Sequence, residues 1–505
     1  MTDYKRPGTY IQESLTPLVI DTGTPGASRA AFVGTHTQGP VLPAVISSWA
    51  QFVQLYGGFG TATDYLPYAV YQFFNNGGST CYVVRAVASD AVTAATTLND
   101  TAGTPHAILT VSALSPGVWA NSYAVEVVPG GSGVDHFTLL VLNSAGTVVE
   151  RYIDVSPNPA DSRHVVNIVN SAFSGSNLIS VAYVFSGTYV PATNALAAVS
   201  SPQSLSTGAD GVATPSLLTA AQLLASVGTN LDLNLPGVTS TTTLNSVVSW
   251  AAGVGNIFVV IDTPQLTAPI TSASATSAYT GYAVTQSSYA AIYGPWLNVV
   301  DPSSSSIGAS RLLPPGGAVL GQYAITDVTR GTQKAAAGIG NVIKGVLSTE
   351  VTLVNTDLDT LNVAGINIIK SVPGAGFCIM GARTTQPGLP SQYVSTRRTL
   401  MRIENSLINL TRFAIFEPNG PVLWSTLSAV CGQYLTGLMQ SGALQGTTQQ
   451  TSYFVECDAT NNPPTSVANG YVYIDVGVAL LSPAEFIVIR IGQYEGGSSA
   501  TQTSS

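Results

Sequence analysis

The chain has 505 residues, enough for several hydrophobic cores, and 45% of them are hydrophobic while only 9% are charged. No apolar run reaches the about 18 residues of a membrane-spanning helix, and a net charge of −9 disfavours nucleic acid as a partner. The sparse charge indicates either a surface that is buried against other copies of the chain, or a polar surface rich in serine and threonine.

Residues 1–87 begin without the apolar core of a secretory signal peptide, which predicts assembly in a cytoplasm. A short strand is predicted at Ala30–Gly34. A helix is predicted from Asp64 to Asn75, because aromatic residues such as Tyr65 and Phe73 recur there at helical spacing.

The next part of the chain, residues 88–203, contains short apolar runs divided by turn-forming clusters such as Asn143–Gly146. This pattern is typical of antiparallel strands joined by hairpins. The predicted strands include Ile108–Val111, Tyr123–Val128, Phe137–Leu142 and Val148–Val155.

Between residues 204 and 376 helical stretches alternate with apolar strands. The helices include Ala220–Val227 and Leu244–Ala252, and the strands are Leu231–Leu235, Ile257–Ile261 and Tyr289–Tyr293. This alternation predicts a parallel sheet that is flanked by helices.

In residues 377–505 two helices precede three strands. The first helix has one apolar side and one basic side, formed respectively by Leu400, Ile403, Leu407 and Leu410 and by Arg397, Arg398 and Arg402. The second helix is predicted to begin at Asn419 and to end at Gly442. The predicted strands are Tyr453–Cys457, Tyr471–Leu480 and Phe486–Ile491.

Many short motifs occur in an order and spacing that are typical of one protein family. In the C-terminal part they are Gly381–Arg383, Val394–Arg398, Phe416–Asn419, Gly442–Gly446, Asn461–Asn462 and Pro483–Ile487. Earlier in the chain they are Arg6–Glu13, Tyr56–Phe59, Cys81–Arg85, Pro295–Leu297 and Pro314–Gly317. On these residues the chain resembles the tail sheath proteins of contractile phages, a family that contractile injection systems share.

The resemblance implies a multidomain chain of the α/β and β classes with four parts. Residues 1–87 would form an N-terminal arm and part of the sheath core, and residues 88–203 a β-rich insertion domain that faces outward. Residues 204–376 would form a subtilisin-like α/β domain without a hydrolytic role. Residues 377–505 would form the C-terminal α+β sheath domain, with a donated strand and a flexible tail.

The resemblance also implies a structural subunit of a virion tail. Such subunits stack as hexameric rings around an inner tail tube, and they contract to drive the tube through the host envelope for genome delivery. The expected partners are copies of the chain itself, the inner tail tube protein, and baseplate and tail terminator proteins. No cofactor, metal, membrane insertion or direct contact with nucleic acid is expected.

The subunits are expected to be linked by strands that each copy donates to its neighbours, because an exposed strand edge can be completed by main-chain hydrogen bonds. The predicted donors are Thr9, Tyr10, Ile11, Gln12 and Glu13 in the N-terminal arm and Phe486, Ile487, Val488, Ile489, Arg490 and Ile491 near the C-terminus. The predicted acceptors are Phe454, Val455, Glu456, Val472, Tyr473 and Ile474. The alternative is that both ends pair within their own subunit.

The distribution of charge indicates a second interaction. Arginines predominate from Gly381 to Arg412, whereas acidic residues predominate from Ala86 to Ser310. Arg397, Arg398 and Arg402 are therefore candidates for contact with the tube. The alternative is a solvated helix face with local ion pairs to Glu404.

Catalysis is not expected. The four histidines, His36, His106, His136 and His164, all lie outside the predicted α/β domain, and no GxSxG motif supports a catalytic serine. A cryptic hydrolase, an adhesin and the sheath of a bacterial contractile injection system remain as alternatives.

The four cysteines are expected to be buried free thiols, because they are far apart and form no CxxC pair. Free thiols and the lack of an export signal both conflict with the adhesin alternative.

Overall fold

The computed structural model describes residues 29–61, 63–171, 174–196, 201–388 and 392–485. It confirms a mixed α/β chain with several sheets. The elements before residue 88 are β1 (Arg29–Gly34), β2 (Ala44–Ile46), α1 (Trp49–Tyr56), α2 (Leu66–Asn75) and β3 (Cys81–Arg85). They are followed by β4 (Ala95–Asn99), β5 (Ala107–Ala113), β6 (Ala124–Pro129), β7 (Phe137–Leu142), β8 (Val148–Val155), α3 (Val165–Val169), β9 (Ile179–Tyr183), α4 (Pro191–Asn194) and β10 (Gln203–Ser204).

Helices and strands then alternate as predicted. These elements are α5 (Leu217–Gln222), β11 (Leu231–Asn234), α6 (Thr241–Val254), β12 (Ile257–Asp262), α7 (Ser272–Thr280), β13 (Ala290–Gly294), β14 (Leu297–Val300), β15 (Ser310–Leu313), α8 (Gly316–Arg330), β16 (Val346–Thr349), α9 (Asn355–Val363), β17 (Ile366–Val372) and β18 (Gly376–Ile379). The C-terminal elements are α10 (Val394–Thr411), α11 (Pro421–Gln440), α12 (Gln449–Ser452), β19 (Tyr453–Glu456), α13 (Pro464–Ala468) and β20 (Asp475–Val478).

The largest sheet has eight strands in the order β18-β17-β13-β12-β11-β1-β3-β2. Its six central strands are parallel, and the strand at each edge is antiparallel to its neighbour. All six residues of β12 are buried, because helices cover both faces of the sheet. One face packs against α2 and α8, and the other against α5, α6 and α7.

This sheet changes the predicted grouping of the chain. Residues 1–87 were expected to belong with the sheath core, apart from the α/β domain at residues 204–376. In the structure β1 pairs with both β3 and β11, so residues 29–87 complete the α/β sheet. Parallel pairing between distant segments leaves no local periodicity in the sequence, and the hydrophobic pattern therefore does not predict it.

The intervening segment forms two antiparallel sheets, β10-β6-β7-β8 and β4-β5-β9. Both sheets contribute to one apolar core, with Val111 and Val181 from one sheet and Val125 and Leu139 from the other. The strands predicted here are all present, and they form a β-structure of their own between β3 and α5.

The Pro314–Gly317 motif has a packing role at the start of α8. A Cβ atom at Gly317 would lie 2.3 Å from the main-chain oxygen of Ala69 in α2, and one at Gly321 would lie 2.7 Å from that of Phe73. Glycine therefore allows α8 to pack closely against α2 over the sheet.

Candidate assembly site

The C-terminal sheet consists of β19 and β20, which pair antiparallel with Tyr453 opposite Val478 and Glu456 opposite Asp475. Within the part of the chain that the structure describes, no third strand joins this sheet. Each of its two strands therefore has one edge without a strand partner. Phe454, Val455 and Glu456, three of the predicted acceptor residues, lie in β19.

The phase of the hydrogen bonds shows which main-chain groups point away from the pair. The Ala479 amide donates to the Ser452 carbonyl oxygen at 3.4 Å, which makes Tyr453 and Val478 a non-hydrogen-bonded pair. Because hydrogen-bonded and non-hydrogen-bonded pairs alternate in antiparallel sheets, the main-chain groups of Val455, Val476 and Val478 point outward. These groups are the ones that an added strand could bind.

Side chains from α11 hold the C-terminal sheet in place. The Tyr453 hydroxyl donates to the Gly432 carbonyl oxygen at 2.8 Å and also contacts the Thr436 hydroxyl. Tyr453, Cys431 and Leu435 are buried together. The sheet is therefore fixed on one face, and directly after β20 a single antiparallel bridge joins Leu480 to Leu444.

The predicted acceptors Val472, Tyr473 and Ile474 do not lie in a strand, because β20 begins only at Asp475. The prediction that this strand starts at Tyr471 was wrong. The Asn462 side chain accepts from the Tyr473 amide at 2.6 Å and donates to the Tyr473 carbonyl oxygen at 2.9 Å. A side-chain amide thus occupies the positions that a neighbouring strand would take, which gives the Asn461–Asn462 motif a structural role.

The second helix also begins later than predicted. Gly420, not Asn419, precedes its first residue, Pro421. The Asn419 side chain instead accepts from the indole nitrogen of Trp424 at 2.9 Å and donates to the Tyr471 carbonyl oxygen at 3.0 Å.

The predicted donor strands, Thr9–Glu13 and Phe486–Ile491, lie outside the described residues. Their pairing therefore stays a prediction.

Arg398 forms a buried ion cluster with Asp232 of β11 and Asp327 of α8, and all three side chains are at most 3% exposed. Its Nε and Nη2 atoms donate to Asp232 at 2.9 and 2.6 Å, and its Nη1 and Nη2 atoms donate to Asp327 at 3.0 and 2.6 Å. The guanidinium carbon lies 4.3 Å from the centre of the Tyr323 ring. Burial alone would lower the pKa of Arg398, but the two carboxylates raise it well above its usual value.

The other two arginines are also buried, at 5% exposure for Arg397 and 8% for Arg402. Arg397 lies over the Tyr289 ring, 4.5 Å from its centre, and Arg402 donates to the Thr332 hydroxyl at 3.4 Å. The prediction that these side chains form an exposed basic face in contact with the tube was wrong. The basic side of α10 faces the eight-stranded sheet, and its apolar side packs against α11.

A signal for this arrangement was present in the sequence. Asp232 lies in the middle of the apolar strand Leu231–Leu235. Because an unpaired carboxylate is rarely buried in a strand of that kind, its position indicates a cationic partner elsewhere in the chain.

The structure also bears on the hydrolase alternative. His36 follows β1 and is therefore part of the α/β unit, and its Nδ1 atom bonds Asp64. Its Nε2 atom lies 2.6 Å from the Tyr56 carbonyl oxygen, in the position where a catalytic serine would have to be. This histidine and aspartate are therefore not part of a Ser-His-Asp triad.

All four cysteines are buried free thiols, as predicted. Burial raises the pKa of Cys431 to about 11. Among the described residues, no group of histidine, cysteine, aspartate and glutamate side chains could hold a metal ion. No helix in this part of the chain is long and apolar enough to cross a membrane.

The family model described as phage tail sheath protein central domain matches residues 210–385, and the one described as phage tail sheath C-terminal domain matches residues 390–493. Together the two matches cover more than half of the chain. The chain belongs to the phage tail sheath family. Because this family is structural, the prediction that the sheath subunit is not an enzyme is confirmed.

Solved structures share the fold of this sheath subunit over nearly its whole length. A chain of the anti-feeding prophage baseplate is 19% identical, with a TM-score of 0.57 and coverage of 98% of this chain and 100% of that chain. The contracted sheath of the extracellular contractile injection system PVC is 21% identical, with a TM-score of 0.56 and coverage of 98% and 99%. A sheath tail protein from Listeria innocua is 12% identical, with a TM-score of 0.58 and coverage of 90% and 96%. No curated protein matches the chain.

Proposed function

We propose that this sheath subunit polymerises around an inner tail tube through strand exchange at the C-terminal sheet. Residues 9–13 and 486–491 of each copy add strands to β19 and β20 of neighbouring copies, in stacked hexameric rings. The observation that carries the proposal is the two-stranded sheet, whose outward main-chain groups at Val455, Val476 and Val478 fit added strands on both sides.

The energetics favour completion of this sheet by other strands. A two-stranded sheet is marginal in water. A strand added to β19 would form about two main-chain hydrogen bonds at Val455, worth roughly 1–3 kcal/mol, and one added to β20 about four at Val476 and Val478, worth roughly 2–6 kcal/mol. Exposed apolar side chains nearby provide further area for contact between copies, because Phe416 is 88% exposed and Val422 is 81% exposed.

Contraction requires no nucleotide under this proposal. An extended assembly that is metastable relaxes to one with better contacts between subunits, and the exchanged strands keep the subunits linked while they move. The movement drives the tube through the envelope of a target cell. The baseplate, the tail terminator and the tube protein are the remaining partners, and the subunit is assembled in a cytoplasm as part of a tail particle.

A second candidate is the sheath of a contractile injection system rather than of a phage. It is favoured by coverage, because the matched chains of the anti-feeding prophage and PVC particles align with 98% of this chain, against 90% for the Listeria protein. The two candidates share one subunit mechanism and differ in what the particle delivers.

Electron microscopy of the purified chain tests the proposal. The full chain should form striated hollow cylinders, and so should a matched variant that lacks only residues 492–505. Variants that lack residues 1–13 or residues 486–505 should stay unassembled while they keep the circular dichroism spectrum of the folded subunit. Cylinders of normal length from both of these variants would show that strand exchange does not hold the sheath together.

A further inference from the structure

We propose that the ion pair between Arg383 and Glu485 anchors the start of the donated C-terminal strand to its own subunit. Residues 486–491 then reach the neighbouring copy with no linker residues between the anchor and the strand. This inference rests on the proposed function and specifies how the donated strand is positioned. It joins two of the sequence motifs, Gly381–Arg383 and Pro483–Ile487, that lie about a hundred residues apart.

The pair has the geometry of a strong charge-assisted interaction. The Nε atom of Arg383 lies 3.1 and 3.2 Å from the two carboxylate oxygens of Glu485, and its Nη2 atom lies 2.5 Å from Oε2. The two side chains are only 18% and 14% exposed. A two-pronged guanidinium contact of this kind fixes the direction of the glutamate as well as its position.

Arg383 is itself held rigidly by the eight-stranded sheet. Its amide donates to Asn367 Oδ1 at 2.7 Å, and its carbonyl oxygen accepts from Asn367 Nδ2 at 2.7 Å. Asn367 lies in β17, is fully buried, and also donates to the Ile292 carbonyl oxygen. The anchor therefore lies between β18 and α10 and is tied to the eight-stranded sheet through Asn367 of β17.

The segment that leads from β20 to Glu485 is fixed at earlier points too. The Gln445 amide donates to the Ala479 carbonyl oxygen at 3.0 Å, and the Thr396 hydroxyl donates to that of Leu481 at 3.4 Å. We call residues 479–485 the strap. The strap runs from the C-terminal sheet, past the first turn of α10, to Arg383 beside β17.

The position of the anchor limits the reach of the donated strand. The predicted strand begins at Phe486, the residue after Glu485, and six residues in a strand span about 20 Å. The edge that accepts it must therefore lie within about 20 Å of Glu485 of the donor subunit. By contrast, residues 14–28 separate the N-terminal donor segment from β1, and they allow up to about 50 Å.

The two arms therefore have different mechanical roles. The C-terminal strand sets a short, fixed distance between two copies, and the N-terminal arm can follow a larger displacement. Changing the anchor should disturb assembly even when the strand itself is intact.

The test combines charge variants with spacer insertions in the full chain. Arg383→Glu and Glu485→Arg should each reduce the yield of cylinders at least tenfold, and the double variant, which restores an ion pair of opposite polarity, should recover most of it. Arg151→Glu, a charge reversal at an exposed arginine of β8, should assemble normally. The melting temperature of the unassembled subunit identifies any variant that simply fails to fold.

Inserted residues test directly whether assembly requires a strand that follows the anchor without a linker. Four residues, Gly-Ser-Gly-Ser, inserted after Glu485 should prevent regular cylinders, whereas the same insertion after Asp21 should be tolerated. Normal assembly of both Glu485→Arg and the spacer variant, while deletion of residues 486–505 still abolishes assembly, would overturn the anchor but leave strand exchange intact. Normal assembly of the deletion variant would overturn both.

Discussion

Replacement of Arg398 by methionine is the sharpest test of how the C-terminal helices are attached to the sheet. The substitution keeps most of the side-chain volume but removes four charge-assisted hydrogen bonds and the contact with the Tyr323 ring. It leaves Asp232 and Asp327 buried without their cation. Breaking a buried ion pair in this way costs about 3–5 kcal/mol, and loss of the ring contact adds about 1 kcal/mol.

The free energy of unfolding of the unassembled subunit should therefore fall by about 4–6 kcal/mol at pH 7. Its melting temperature should fall by roughly 4–6 °C, because an unfolding entropy of about 2 cal/mol/K per residue gives about 1 kcal/mol/K for 505 residues. Calorimetry and urea unfolding would measure both quantities. Arg412→Met is the matched control, because Arg412 ends the same helix but is exposed, and it should change the free energy of unfolding by less than about 0.5 kcal/mol.

The cause of the loss can be separated from simple loss of packing. Burial raises the pKa of Asp327 above its usual value, and loss of the cation, which lowers it, would raise it further. Because this pKa is higher in the folded chain than in the unfolded one, the destabilisation should be largest above it and should shrink as the pH falls. Adding Asp232→Asn and Asp327→Asn to the Arg398→Met variant should recover most of the stability. A deficit below about 1 kcal/mol, or one that does not change with pH, would refute the view that the ion cluster secures α10.

Two further predictions concern the eight-stranded sheet. Burial raises the pKa of Asp262 to about 6, against hydrogen bonds from Gly237, Asn234 and Gly316 that lower it. Because this pKa is higher in the folded chain than in the unfolded one, protonation of Asp262 should add on the order of 2–3 kcal/mol of stability as the pH falls from about 7 to about 4. Urea unfolding at both pH values should show this gain relative to Asp262→Asn. The same change of unfolding free energy with pH in both proteins would contradict the prediction. Gly317→Ala should lower the free energy of unfolding by about 1–3 kcal/mol, because the new Cβ would meet the Ala69 carbonyl oxygen at 2.3 Å. Gly437→Ala, with no neighbour within 4 Å, is the control and should be neutral or slightly stabilising. Equal effects of the two alanines would rule out close packing of α8 on α2 as the reason for Gly317.

Local patterns in the sequence predicted most of the individual elements. The apolar strand Ile257–Ile261 and the periodic helix Asp64–Asn75 are present within two residues of their predicted bounds. These elements can be predicted because each one has its own hydrophobic periodicity and residues that are typical of its ends. The assignment of β1 and β3 to the α/β sheet could not be predicted, since it depends on pairing between strands that the whole inserted segment separates.

The role of α10 shows the limit of such patterns more clearly. A helix with apolar residues on one side and arginines on the other has the same period whether the arginines face water or buried carboxylates. The pattern therefore predicts two different faces but not the environment of the polar one. Only Asp232, an acidic residue inside an apolar strand, distinguishes the two cases.

Two sets of contacts join α10 to the eight-stranded sheet, and together they determine where a moving subunit can deform. The ion cluster of Arg398 lies on the inner side of the helix, and the strap crosses its first turn at Thr396 before it reaches Arg383. Separating the helix from the sheet would break the buried cluster at a cost of about 3–5 kcal/mol, before any loss of apolar contact. Under the proposed strand exchange, displacement between subunits should therefore fall on the chain segments that link them, while the sheet and α10 move as one body.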